Sequence, residues 1–291
     1  MGSSLRPNIH SEMDTIAGVD DLRARVSAWR RAGKRIGFVP TMGNLHNGHF
    51  SLISIARAHA DHVVASVFVN PTQFGPREDF ASYPRTLEQD QTGLSAHGCD
   101  LLFAPPVDAI YPFGPDSSVR VEVPGISDVL DGALRPGHFA GVATVVTKLF
   151  NLVQPDIAVF GQKDYQQLLV IQRLAQDLRL PIDIVPAPTL REANGLAMSS
   201  RNQYLSSDER ERAGIIYSTL CGMRDALHAG QAHAAVEADA HRILEQAGLV
   251  PDYAVLRRKT DLTEPEKNER TGLIALIAAK LGRARLIDNL D

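Results

Sequence analysis

Cysteine is scarce. The 291 residues hold only Cys99 and Cys221, neither in a paired spacing. That excludes a disulfide framework and a cysteine-based zinc site, and suits a reducing cytoplasm. Long apolar runs are also missing: the longest, 272–279, is far too short to span a bilayer, so no membrane association is expected. The first residues, Met-Gly-Ser-Ser-Leu-Arg-Pro-Asn, lack the apolar stretch of a secretory signal, and Arg6 stands where a myristoylation site needs Ser or Thr. Excess positive charge is absent. A net charge of −4 and a pI near 6.2 give no electrostatic case for nucleic acid as a partner. Neither the phosphate loop G-x-x-x-x-G-K-[ST] nor the dinucleotide fingerprint G-x-G-x-x-G occurs.

Strand and helix patterns alternate through the first two thirds. Runs at 36–39, 62–69, 100–104, 157–160 and 182–185 read as strands, and the continuous β-branched run 62–69 as one buried on both faces. Helical periodicity lies between them at 50–60, 139–153 and 165–178. Thr86-x-x-Gln89 has capping-box spacing for a helix toward His97. Residues 105–137, rich in Pro, Gly and Asp, read as an insertion with a short strand at 119–123. This rhythm predicts an α/β fold, a Rossmann-like doubly wound parallel sheet with right-handed crossovers. After Thr189 the texture changes to a capping box at Ser206-x-x-Glu209, helices over 208–229 and 232–247, and strands at 253–256, 273–279 and 284–290. The expected organisation is a flexible tail at 1–14, a nucleotide-binding domain at 15–188 and a smaller α+β lid domain at 189–291.

The chemistry concentrates where strands hand over to helices. In 40–49, Pro-Thr-Met-Gly-Asn-Leu-His-Asn-Gly-His, the first strand meets a Pro/Gly turn and His46-Asn47-Gly48-His49 opens a helix. In an open α/β sheet this carboxyl-end crevice binds ligands, and the helix start offers N–H groups to phosphate. Gly43 and Gly48 would admit a close backbone approach, and the imidazoles would donate to phosphate oxygens. His-x-Gly-His resembles the signature of the nucleotidylyltransferase and class I aminoacyl-tRNA synthetase group, which attacks the α-phosphate of a nucleotide and releases pyrophosphate.

Three further segments fit beside it. Asn70 and Gln73 in Phe-Val-Asn-Pro-Thr-Gln-Phe (68–74) are amides at a strand end, suited to a polar or anionic substrate, or simply members of an Asn-Pro turn. In 160–167, Phe-Gly-Gln-Lys-Asp-Tyr-Gln-Gln, Lys163 at a helix start opposes the dipole and so points to an anion nearby. Met198-Ser199-Ser200-Arg201 supplies two hydroxyls and a guanidinium able to clamp β- and γ-phosphates, and is similar to the KMSKS loop of the same group.

Six ordered motifs, PTMGNLHNGH, FVNPTQF, YPRT, HFAGVATVV, FGQKDYQQL and GLAMSSRN, together resemble the pantoate–β-alanine ligase (pantothenate synthetase) family over roughly residues 20 to 290. The resemblance implies ATP-dependent condensation of (R)-pantoate with β-alanine through a pantoyl adenylate, releasing pyrophosphate and AMP, in a cytoplasmic homodimer that uses magnesium with ATP. It implies an ATP site made of Met42, Gly43, Asn44, Leu45, His46, Asn47, Gly48 and His49, of Gly161, Gln162, Lys163 and Asp164, of Leu190, and of Met198, Ser199, Ser200 and Arg201. His46, His49, Lys163 and Arg201 would be catalytic, with His49 at the proton donor's position. Gln73, Gln167 and Asn70 would bind pantoate, and Gln73 also β-alanine.

Two departures stand out. Gln162 replaces the family's usual Glu, and Gln89-Asp90 replaces a pair of acids linked to magnesium, leaving Asp90 as the one candidate metal ligand. The rival readings are a nucleotidylyltransferase acting on a phosphorylated substrate, which would not need paired glutamines, and a non-catalytic ATP-binding module.

Overall fold

The computed structural model describes residues 13–75, 80 and 83–291. Six parallel strands form one sheet: β1 (Asp14–Ile16), β2 (Ile36–Thr41), β3 (His62–Val67), β4 (Leu101–Phe103), β5 (Ile157–Gly161) and β6 (Asp183–Ala187). Their order is β1-β4-β3-β2-β5-β6. The chain therefore winds outward from β2 in one direction and then restarts at β5 on its other side. The carboxyl ends of β2 and β5 flank the point where the winding reverses, the place where open sheets hold ligands.

Period-2 alternation sends successive side chains to opposite faces, and both faces are covered. Phe38, Val64, Phe103 and Phe160 pack with α1 (Val19–Arg31) and two later helices. Val39, Ala65, Leu102 and Val159 pack with α2 (Asn47–His59) and α3 (Leu87–Ala96). After the short helices α4 (Val107–Ile110) and α5 (Asp131–Leu134), the sheet is covered by α6 (His138–Val153) and α7 (Tyr165–Asp177). α6 is apolar nearly all round, as a helix buried along its length must be.

Beyond β6 come α8 (Ser207–Ala213), α9 (Ile215–His228) and α10 (His233–Gln246), then an antiparallel sheet of β7 (Val250–Arg258), β8 (Leu273–Leu281) and β9 (Ala284–Leu290). The middle strand β8 faces two ways. Ala275, Ile277 and Ala279 belong to the core with α9 and α10, whereas Ile274 and Leu276 join the core of the large sheet. Each buried Ile or Leu there is worth about 1.5–3 kcal/mol, so β8 fastens the two units together.

Several expectations change. The tail expected over 1–14 falls on undescribed residues as far as 12, while Asp14 opens β1 and pairs with Leu101. β1 and α1 escape the sequence reading, although Asp20 and Asp21 in the first turn and Arg30 and Arg31 in the last complement the helix dipole. No strand forms at 119–123, because this stretch lies along α6 with the Val121 N–H donating to the Thr144 hydroxyl at 2.9 Å, and no strand neighbours it. The long helix expected over 208–229 breaks at Gly214. There the Asn194 amide donates to the Arg210 carbonyl at 2.9 Å, and a Cβ on residue 214 would sit 2.7 Å from the Asn194 carbonyl oxygen. The Ser206–Glu209 capping box forms as expected; the one at Thr86 does not, since its hydroxyl turns to Asp90.

Candidate active site

The turn after β2 is held from beneath. Gly43 (φ +84°) and Asn44 (φ +53°) are both left-handed, and the adjacent backbone is gripped by one carboxylate. Asp90 accepts from the Asn44 N–H at 3.0 Å, the Leu45 N–H at 2.8 Å and the Thr86 hydroxyl at 3.2 Å. It is 2 % exposed. A Cβ at position 43 would meet both the Asp90 carboxylate and Val67 at 3.0 Å, so glycine answers to conformation and space together. Asp90, the candidate metal ligand, thus braces this turn. Its oxygens are already engaged, and among the described residues no group of three His, Cys, Asp or Glu side chains is placed to hold a metal ion.

The two histidines cap the helix they open. His46 Nδ1 accepts from the Gly48 N–H at 3.1 Å, His49 Nδ1 accepts from the His46 N–H at 3.4 Å, and the rings lie 4.2 Å apart. Gly48 is needed for this fold-back: a Cβ there would come within 2.9 Å of the His46 ring. The glycine thus admits an imidazole, where the sequence suggested room for a ligand. Burial first, then the Lys163 charge, pushes His46 down to about 4; burial, His46 and Lys163 push His49 down to about 3. Both rings are therefore neutral near pH 7. With Nδ1 accepting, the hydrogen that a neutral ring can donate sits on Nε2.

His46 and His49 line a cavity of ≈ 220 Å³ at the switch point, with Met42 and Gly48 from the same turn. β3 leads into a single 3₁₀ turn, Pro71–Gln73, which brings Gln73 and Asn70 to its wall. β5 leads into Gly161, Lys163 and Asp164, and the first turn of α7 adds Gln167. Leu190, Met198, Ser199, Ser200 and Arg201 close it from the second unit. α6 supplies an apolar floor of Val142, Val145, Val146 and Leu149. An adjoining cleft of ≈ 570 Å³ shares Lys163, Asp164, Gln167, Ser199 and Arg201 and continues between the two units.

Gly43, Asn44, Leu45, Asn47 and Gln162 stay off the cavity wall. Gln162 instead offers its carbonyl, with that of Lys163, to the Asn289 amide at 2.9 and 2.8 Å, a bridge between the units. Gln166 looks equivalent to Gln167 in sequence but is buried and spent on the Ile126 and Val129 carbonyls and the Asp131 N–H. His138, which the sequence reading does not single out, lines the adjoining cleft. Its ring nitrogen lies 2.9 Å from the Gln73 carbonyl, and its place at the start of the HFAGVATVV motif was the available signal.

The family model for pantoate-beta-alanine ligase matches residues 14–291. The chain belongs to the pantoate-beta-alanine ligase family. A pantothenate synthetase of Xylella fastidiosa (strain 9a5c) is 57% identical over 280 residues, covering 96% of this chain and 99% of that protein. One from Xanthomonas axonopodis pv. citri is 55% identical over 279 residues, with the same coverage. Among solved structures, the Thermus thermophilus pantothenate synthetase superposes with a TM-score of 0.89 at 46% identity, covering 96% of this chain and 99% of that one. The Francisella tularensis pantoate-beta-alanine ligase, solved in complex with beta-gamma ATP and beta-alanine, gives 0.80 at 34% identity, covering 96% and 97%. For a pantoate-beta-alanine ligase the cavity has a coherent polarity. Donors and cations sit at the ends of β2 and β5 and on 198–201, amides at the end of β3, and aliphatic side chains beneath.

Proposed function

We propose that this cavity joins (R)-pantoate to β-alanine at the expense of ATP, by way of a pantoyl adenylate. The observation that supports it most is the convergence of His46, His49, Lys163 and Arg201 on the same space as Gln73 and Gln167. Cations and ring N–H donors suit a triphosphate; paired amides suit a hydroxy acid.

A carboxylate is a poor acyl donor until one oxygen carries a good leaving group. In the first step a pantoate carboxylate oxygen attacks the α-phosphorus of ATP, and the bond to pyrophosphate breaks. His46 and His49 offer Nε2–H bonds to the phosphate oxygens as negative charge gathers there, and Lys163 adds a full charge from a side chain 16% exposed. Ser199, Ser200 and Arg201 hold the departing pyrophosphate. Gln73 and Gln167 orient the pantoate over the apolar floor. In the second step the β-alanine amine attacks the acyl carbon, AMP leaves, and the amide forms with loss of a proton. The adenylate is prone to hydrolysis, so 189–291 serves as a lid that excludes water between the steps.

Magnesium enters this reading as the companion of ATP, carried on the triphosphate. A cytoplasmic homodimer completes it, as family membership suggests; a monomer mass by light scattering would remove that part. No helix among the described residues is long and apolar enough to cross a membrane.

The test is pyrophosphate release from ATP and magnesium with D-pantoate, with and without β-alanine, and mass detection of pantothenate. Pantoate-dependent release, with AMP and pantothenate accumulating once β-alanine is added, is expected. Silence with pantoate but turnover of a phosphorylated alcohol would replace this reading with a nucleotidylyltransferase.

A further inference from the structure

An amide has two unlike ends. A carboxylate is drawn to the NH₂ end of Gln73 and repelled by the carbonyl end, so the orientation of that side chain decides whether it attracts an acid. The surroundings specify it through Asn70, which is 1% exposed. Asn70 Nδ2 donates to the Gly141 carbonyl and to Gln73 Oε1, each at 3.1 Å. Its Oδ1 accepts from the Thr72 N–H at 3.4 Å, the Thr72 hydroxyl at 3.1 Å and the Tyr111 phenol at 2.6 Å. The Gly141 carbonyl can only accept and the Thr72 N–H can only donate, so the Asn70 amide has one orientation. With Oε1 engaged, the Gln73 NH₂ faces the Met42 thioether at 3.1 Å. A thioether is a weak acceptor that a carboxylate oxygen displaces at little cost.

The shortest bond in this set comes from Tyr111, a residue outside the site described so far. It follows α4 within the segment 105–137, is 1% exposed, and has the Lys148 ammonium 5.0 Å from its ring centre. Burial raises the pKa of its phenol, so the proton that Asn70 needs stays in place. Gly141 allows the arrangement, since a Cβ there would strike the Thr72 carbonyl oxygen at 2.4 Å.

We propose that Tyr111 is a positioning residue for the acid substrate, acting through Asn70 to keep the NH₂ end of Gln73 toward the cavity. The proposal rests on the assignment of Gln73 to pantoate. It makes the segment 105–137 part of substrate selection, delivering one buried hydroxyl behind the pocket wall.

The experiment is steady-state pyrophosphate release by the full chain carrying Tyr111→Phe, Asn70→Asp or Gln73→Ala. Tyr111→Phe keeps the ring and removes the hydroxyl, with its hydrogen bond to Asn70 and its 3.1 Å contact with the Thr72 hydroxyl. Its KM for pantoate is expected to rise about tenfold, with KM for ATP and kcat within twofold, a change that corresponds to about 1.4 kcal/mol. Asn70→Asp keeps the shape but presents an acceptor to Gln73, turning its NH₂ inward, and is expected to raise the pantoate KM further, with the same sparing of ATP. An unchanged pantoate KM in Tyr111→Phe, beside a large rise in Gln73→Ala, would overturn the relay and leave the assignment of Gln73 standing. An unchanged KM in Gln73→Ala would overturn that assignment itself. Equal losses for pantoate and ATP would reduce Tyr111 to a structural residue. Should Tyr111→Phe fail to fold, Thr72→Val removes the neighbouring hydroxyl and carries the same prediction.

Discussion

The two walls of the cavity are built on opposite plans. On the side formed by the ends of β2 and β3, nearly every polar atom is already spoken for: His46 and His49 cap α2, Asp90 grips the backbone of 44–45, and Asn70 uses both ends of its amide. On the other side, among the described residues, the Lys163 ammonium pairs with Asp164 at 3.7 Å alone, and Arg201 has no ion-pair partner. The first wall is fixed in place by internal hydrogen bonds and presents what is left over, an N–H at a time. The second holds its cations in reserve. A site that must bind a highly charged triphosphate gains from this division: orientation comes from the committed side, and charge from the uncommitted one, where no internal bond has to break first.

Breaking either wall at its most direct contact gives the largest effect. His49→Ala and Lys163→Ala are each expected to lower the rate of adenylation by at least about a hundredfold, the usual scale for a lost donor aimed at developing charge. Single-turnover pyrophosphate release measures it, and near-wild-type rates in either purified variant would remove that residue from the chemistry.

Breaking the brace beneath the first wall comes next. Asp90→Asn keeps the shape but exchanges one acceptor oxygen for a donor facing either the Asn44 or the Leu45 N–H. A buried group left unsatisfied costs about 1–3 kcal/mol. The expected result is a loss of stability of that size in urea denaturation, together with roughly tenfold lower kcat as the His46–His49 turn loosens. An undisturbed denaturation midpoint would show that the turn holds itself.

The comparison also has a pH signature. The histidines of the committed wall titrate near 4 and 3 when folded, against an ordinary 6.5 when unfolded. Below pH 6.5 the unfolded chain takes up protons that the folded chain refuses, so stability falls with pH from about 6.5 until the folded values are reached. The double variant His46→Gln, His49→Gln is expected to lose less stability than the wild type between pH 7 and 5. Parallel loss in both proteins would contradict the depressed values.

How much of this the sequence disclosed depended on whether a signal was local. The strands buried on both faces, the His-x-Gly-His turn and the Lys163 turn are short runs whose composition reports their own position, and the structure joins them at the switch point. What stayed hidden depends on partners distant in the chain. Nothing near Asp90 says that it will accept from residues 44 and 45, and the halt at Gly214 is dictated by Asn194, well upstream; Gln167 is singled out over Gln166 by the family resemblance and not by its own surroundings in the sequence. Residues 119–123 have strand-like composition but no strand neighbour, and a strand needs a neighbour to be one.

The smallest effect is expected at Gln162. Gln162, where the family resemblance implies a Glu, lies directly beside Lys163, and a carboxylate next to a cation proposed to act on the phosphates would ordinarily matter. The site geometry argues otherwise. Gln162 is off the cavity wall, and its carbonyl, which any residue supplies, accepts from the Asn289 amide to join the two units. Restoring the acid with Gln162→Glu should therefore leave kcat and both substrate KM values within about twofold, because a partly exposed charge outside the cavity is screened by solvent. Asn289→Ala, by contrast, removes the donor from the carbonyls of both Gln162 and Lys163, and should raise the KM for ATP more than Gln162→Glu does. If the order came out reversed, the uncommitted wall would owe its character to the charge beside Lys163 and not to the bridge that carries its backbone.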